Sequence, residues 1–406
     1  MFPVPWIPPT PVEQQLQAAT AYGDWDGQIG ALAAAELYVA VPRAEADGLV
    51  PPAPLSPYRD PVSGKRCLPV LTRGALPPWQ PDWVFQRTRL DDLALEWPHD
   101  KWHLAVNPGQ PAAAVVPATP LDRAAWLEVY AETPPPAPGR LQSLGTGPLH
   151  GPLAHGLACG APLSVRDDVP WNDLGSVYRD YDEDRAVLRD AWGVIDPAGW
   201  WHLTERLLAG AGAGREAEFA LRAREGLAEH SGTAPGGKDT PGPGPRTDEW
   251  RGAVTHVLVH RAAPEAEIRA MDAAVTRIAG AEERLRGEAV LQPGERVASA
   301  AAHDLAHAVA VARLGLAARL CGPADAERVV LAAGAAARRT YGSWSAFSAG
   351  FLLGQALRAA GPGAPAAAPG PHPGPGPGPG PDATALLAHR VLTGDPASPW
   401  VNIPWS

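Results

Sequence analysis

Residues 303–323, HDLAHAVAVARLGLAARLCGP, decide the fold. Leu305, Val309, Ala312, Leu316 and Leu320 recur at three- and four-residue steps, the spacing that lines up side chains on one face of an α-helix. The helix extends from about Val297 to Cys321, and Gly322-Pro323 stops it. Pro323 opens a second helix that runs to about Tyr341. On this spacing His303 and His307 lie opposite the apolar stripe and face solvent. Asp304 and Arg313 lie on its two edges, placed to bond neighbouring helices or caps.

Outward from this stretch the helical pattern continues. Ser343 caps a helix over Trp344–Ala360 that is apolar nearly all round, so it is central and buried, and Gly350 and Gly354 give it a smooth patch for close helix contact. Gln355 and Arg358 interrupt its apolar run, which is too short to cross a membrane. Upstream, Ser176–Trp192 reads as a helix stopped by Gly193, and Asp196-Pro197 starts another that ends near Gly210. Residues 215–229, 248–261, 264–286 and 382–393 complete the set. The tail from Asp395 to Trp405 holds three prolines in ten residues and reads as irregular.

Before residue 133 the pattern mixes helix and strand. Val12–Ala21 is a short helix. Leu37–Val41, Leu68–Leu71 and Trp102–Val106 are strands, with Val115-Val116 in a fourth. Pro69 marks the second strand as an edge or an irregular start. Asn107-Pro-Gly109 closes the third in a turn. Leu121–Glu132 is a helix with Thr119 as N-cap and Pro120 at its first position. The fold class is therefore a small mixed-sheet α+β domain followed by an all-α domain. The expected divisions are a Pro-rich arm over 1–11, the α+β domain over 12–132, a Pro-rich joint over 133–154 and the helical domain over 155–405. Residues 231–246, SGTAPGGKDTPGPGPR, read as a flexible insert, and residues 361–381 are almost pure Gly, Pro and Ala, a composition that predicts disorder.

Composition excludes several function classes. The 406 residues include 34 Lys and Arg against 44 Asp and Glu, so the net charge of −10 argues against a nucleic-acid partner. No apolar run is long enough to span a bilayer, and the N-terminus lacks the pattern of a secretory signal. Cys67, Cys159 and Cys321 are odd in number and far apart, so they form neither a disulfide framework nor a zinc knuckle. These features predict a cytoplasmic chain without a membrane partner. There is no Gly-x-Ser-x-Gly, phosphate-binding loop or dinucleotide fingerprint.

Two resemblances follow from particular motifs. Ala34-Ala-Glu-Leu-Tyr-Val-Ala-Val-Pro42, Leu68-Pro-Val-Leu-Thr72 and Leu104-Ala-Val-Asn-Pro-Gly109 resemble the SseB-like N-terminal domain over about 12–118, a family whose name implies no reaction. Ala191-Trp-Gly-Val194, His303-Asp-Leu-Ala-His307, Val311-Ala-Arg-Leu-Gly315, Ser343-Trp-Ser-Ala-Phe347, Gly350-Phe-Leu-Leu-Gly354, Ser398-Pro-Trp400 and Pro404-Trp405 resemble a DUF1266 domain over about 155–405. That family tends to carry Trp and Arg where this chain has His303 and His307. The resemblance implies a structural signature of Trp192, Asp304, Arg313, Trp344, Gly354, Trp400 and Trp405, and it implies no catalytic residue, metal or cofactor.

Several constellations invite a chemical reading. His303 and His307 stand at i and i+4, the spacing of a helix-borne metal pair, and His256 and His260 repeat it on another helix. If the two helices met they would form a four-His site; chance in a chain with 12 His is the simpler expectation. Arg179–Arg185, RDYDEDR, has the charge of a carboxylate metal site, but it is read as the solvated face of a helix whose buried stripe is Tyr181, Leu188 and Trp192. Trp400 and Trp405 are expected to plug into the helical core, because an exposed pair of such rings is an aggregation hazard. The expected function is thus a non-enzymatic protein-interaction or regulatory module whose partner is another protein. The alternative is a metal-dependent hydrolase using His303, Asp304 and His307.

Overall fold

The computed structural model describes residues 6–52, 56–134, 137–175, 179–210, 212, 214–230, 246–359 and 382–405. The inserts expected at 231–246 and 361–381 lie almost wholly outside them, as does the expected helix start at Ser176.

The first region holds α1 (Pro11–Tyr22), α2 (Trp25–Ala33), β1 (Leu37–Pro42), α3 (Arg43–Ala46), β2 (Tyr58–Arg59), β3 (Arg66–Thr72), β4 (Trp83–Thr88), α4 (Leu90–Leu95), β5 (His103–Val106), β6 (Ala114–Val116) and α5 (Pro120–Glu132). The sheet runs β4-β1-β3-β5-β6, with β2 paired to β3. All pairs are antiparallel except β3 with β5. Alternation along β1 sends Leu37 and Val39 into a core with Leu16, Ile29, Leu32, Val70, Leu104 and Trp126. Tyr38 points the other way and packs with Phe85. The Thr119 cap forms a full capping box with Asp122, with Pro120 at the first position of α5.

The expectation for Pro69 is corrected: β3 is central in the sheet. On one side its partners change from β2, which ends opposite Cys67, to β1, which begins opposite Leu71. Pro69 falls in that gap, where a missing N–H interrupts no pairing on that side. β2 and β4 were not anticipated, because neither carries a clean apolar alternation.

The second region holds α6 (Gly151–Cys159), α7 (Ala161–Arg166), α8 (Tyr181–Trp192), α9 (Pro197–Leu208), α10 (Arg215–His230), α11 (Thr247–His260), α12 (Glu265–Gly287), α13 (Ala302–Ala317), α14 (Pro323–Thr340), α15 (Trp344–Ala359), α16 (Ala383–Gly394) and α17 (Pro399–Asn402). Among the described residues no strand follows Val116. α17 corrects the expectation of an irregular tail: Pro399 occupies the first helical turn, where it is tolerated, and Ser398 caps it. α6 starts at Gly151, within the stretch expected as a joint.

α13 is the axis of the helical region. α6, α7, α8, α9, α14 and α15 all pack on it, and its residues are buried on every side except at His307, which is half-buried. This overturns the solvent-facing placement of His303 and His307. A stripe identifies a face only when the opposite face meets water; here other helices cover both. α13 is also shorter than the expected 297–321. At its start, Ala300 N donates to Glu218 Oε1 at 2.8 Å and Ala302 N to the Tyr341 hydroxyl at 2.8 Å, so side chains from other helices satisfy donors near the helix end. At its end, Arg319 takes a left-handed φ of 61° and Leu320 N returns to Gly315 O at 2.8 Å.

Candidate functional site

The first turn of α13 gathers the polar side chains that the sequence brought forward. Asp304, 1% exposed, accepts a hydrogen bond from Gly212 N through Oδ2 at 2.6 Å. Its Oδ1 lies 3.7 Å from Arg358 Nη2 and 3.8 Å from His303 Nδ1. The carboxylate therefore ties the segment after α9 to α13 and faces a cation from α15. Gly354 admits this packing: a Cβ there would stand 2.6 Å from both Ala300 O and His303 Cβ. Gly350 does the same beside Ser299 O and Tyr341.

His303 and His307 stand side by side, with ring centroids 4.3 Å apart. Trp192 packs on His307 at 5.5 Å and Phe351 on His303 at 5.4 Å. His307 Nδ1 meets His303 O at 2.8 Å; a carbonyl only accepts, so Nδ1 carries the proton. Burial lowers the pKa of His303, partly offset by Asp304. It lowers that of His307 further, aided by His303 and Arg166. Both rings are neutral near pH 7.

Further along α13, Arg313 donates to Ser164 Oγ at 3.0 Å and to Pro170 O at 2.7 Å, anchoring α7 and the chain after it. The Trp set closes the far end. Trp400 Nε1 donates to Ala158 O at 3.0 Å, Trp405 Nε1 to Tyr341 O at 2.7 Å, and Trp344 Nε1 to Ile403 O at 2.8 Å. Trp344 stacks on Trp400 at 5.6 Å and meets Trp405 edge-on at 4.7 Å. Two indoles of the tail thus link with one of α15, each with its N–H satisfied.

The acidic run departs from its expected role as a solvated face. Asp180 caps α8 through Oδ1 and accepts Arg87 N through Oδ2 at 2.5 Å. β4 is an edge strand, so this carboxylate takes up an outward N–H that would otherwise stand open. Arg87 bridges Glu36 at 2.9 Å and Glu183 at 2.8 Å. Tyr181 and Arg185 both reach Asp47. The paired arginines Arg73 and Arg87 outweigh burial and hold Glu36 down to about 2. Asp184 is buried, and desolvation raises it to about 8. Trp79 Nε1 to Leu316 O at 3.1 Å and Arg319 to Trp83 O at 2.6 Å add to the contact between the two regions. A charged run reads as solvated only while its partners are hidden, and these partners lie about 90 to 150 residues upstream.

His256 and His260 are exposed on α11, with rings 4.9 Å apart. Among the described residues no three His, Cys, Asp or Glu side chains come together to hold a metal ion, so the two His pairs do not form a four-His set. Other buried polar groups escaped the sequence reading. Arg224 and Glu282 form a two-point ion pair at 2.9 Å, and Glu282 also accepts Val297 N. Ser348 Oγ meets His389 Nδ1 at 2.8 Å. Gly315 seats Trp200, whose Nε1 bonds Val311 O at 2.9 Å. A glycine inside an otherwise apolar helix was the one available signal, and it marks close approach.

The arrangement defines a helical protein built around one buried central helix, joined to a small mixed sheet. The chain belongs to the family described as protein of unknown function (DUF1266), which it matches over residues 187–405, more than half its length. No curated protein and no solved structure matches it. Among the described residues no helix is long and apolar enough to cross a membrane.

Proposed function

We propose that the chain is a non-enzymatic protein-interaction or regulatory module of the cytoplasm. One observation carries this reading: the hydrogen bonds that the signature residues make go to the framework. Arg313, Trp344, Trp400 and Trp405 each bond a backbone carbonyl of another segment, and Asp304 receives a backbone N–H. Groups committed in this way hold helices together. The reading includes an SseB-like domain over about 12–118 and a DUF1266-like domain extending from about 155.

On this reading the docking surface lies on α4 and α5. Arg123, on α5, joins them by bonding Ala94 O and Asp100. Leu95 and Leu121 stand 72% and 81% exposed there, among the exposed acids Asp92, Glu96 and Asp100. Residues 1–132 carry 15 acidic and nine basic side chains. An acidic rim around exposed leucines fits a protein partner with a basic, partly apolar surface. The test is capture of partners by the full-length chain from native extract, beside Leu95→Glu with Leu121→Glu. The reading expects a stoichiometric protein that the wild type holds and the double variant releases. Equal retention by both would place the contact elsewhere, and no retained protein would count against an interaction role.

A further inference from the structure

His307 is oriented as metal ligands usually are, with one ring nitrogen held by the protein and the other left open, and His303 stands beside it. We propose that His303 and His307 form a two-histidine site for a borderline divalent cation of the zinc class, bound through their Nε2 atoms. In metal sites a ligating imidazole gives its other N–H to a carbonyl or carboxylate, which fixes both tautomer and ring direction. His307 does this with the His303 carbonyl at 2.8 Å. His303 turns Nδ1 toward Asp304 Oδ1 at 3.8 Å, where both atoms are buried without a hydrogen-bond partner. An N–H on that nitrogen faces the carboxylate and leaves its lone pair on Nε2. Among the described residues neither Nε2 atom has a hydrogen bond, and neither is sealed from solvent. The rings sit one helical turn apart with centroids 4.3 Å from each other, the i, i+4 relation that lets two imidazoles grip one ion.

Imidazole nitrogen suits zinc, copper and nickel better than magnesium or calcium. Two protein ligands leave the remaining positions to water or an added anion. Arg358, whose Nη2 lies 3.7 Å from Asp304 Oδ1, favours an anion there. The site is independent of the docking surface and implies no reaction.

The molecule carries its own control. His256 and His260 have the same spacing but are exposed, and among the described residues no hydrogen bond fixes either ring. The experiment titrates zinc chloride into the full-length chain by calorimetry, with cobalt(II) absorption as a second readout. It compares wild type, His256→Gln with His260→Gln, and His307→Gln, whose fold is checked by circular dichroism. The proposal expects one ion per chain. The exposed double variant should bind with unchanged affinity, and H307Q should bind at least about tenfold more weakly. Cobalt bands should persist in the exposed double variant and fade in H307Q. If H307Q fails to fold, the exposed double variant alone decides: retained one-to-one binding supports the central pair. Loss of binding in that variant, or no saturable binding by wild type, overturns the proposal.

Discussion

His155, on α6, offers the sharpest test of the buried core. It is 2% exposed, lies between Trp344 at 4.8 Å and Trp405 at 5.2 Å, and among the described residues neither ring nitrogen has a partner of ordinary hydrogen-bond geometry. Burial, with a smaller push from Arg338, lowers its pKa to about 4 from 6.5. Between those values the unfolded chain binds a proton that the folded chain refuses. The contribution is therefore complete above pH 6.5 and is lost as pH falls toward 4. At about 1.4 kcal/mol per unit, the loss from this one group is about 3 kcal/mol. Asp184 works in the opposite sense over the same range, because its folded pKa is raised to about 8, so the wild-type profile alone mixes the two. His155→Phe separates them. The variant keeps a ring between the indoles, removes both ring nitrogens and leaves Asp184 untouched. Urea unfolding followed by Trp fluorescence at pH 7.5, 6.5, 5.5 and 4.5 gives the difference between the chains. It should be small at pH 7.5 and grow by about 3 kcal/mol in favour of the variant by pH 4. Parallel profiles would refute the reasoning, because they would show that His155 titrates alike folded and unfolded.

Gly315→Ala places a Cβ 2.1 Å from Nε1 of the fully buried Trp200; overpacking there should cost about 1–3 kcal/mol in urea unfolding. Arg224→Met leaves Glu282 buried without its cation and should cost about 3–5 kcal/mol, while Arg224→Met with Glu282→Leu should recover much of that loss. Trp405→Ala removes the edge-on contact with Trp344 and the bond to Tyr341 O. It should cost about 3 kcal/mol and speed limited proteolysis of the tail after α16, read by mass spectrometry.

Much of this fold was legible from local signals. Pro-opened and Gly-closed helices, the Thr119 cap and the apolar run of β1 depend on neighbours in sequence. What stayed hidden depends on distant partners. His303 and His307 look solvent-facing until α8 and α15 cover them. Asp180 looks like surface charge until β4 presents the Arg87 N–H. β3 looks like an edge until β5 pairs along one side and β2 and β1, on the other, leave the gap that accommodates Pro69. In the candidate site, the i, i+4 spacing of the histidines was visible at once. The backbone carbonyl that orients His307 was not.

The central claim is that the signature residues serve the framework while partner recognition lies on the α4–α5 surface. One paired measurement tests it most directly: melting temperature and partner retention for Asp304→Ala and for Leu95→Glu with Leu121→Glu, each in the full-length chain. The account predicts opposite losses. The Asp304 variant should melt earlier yet hold its partner below that temperature, and the leucine variant should melt like wild type and release it. An Asp304 variant that kept its melting temperature and lost the partner would contradict the account.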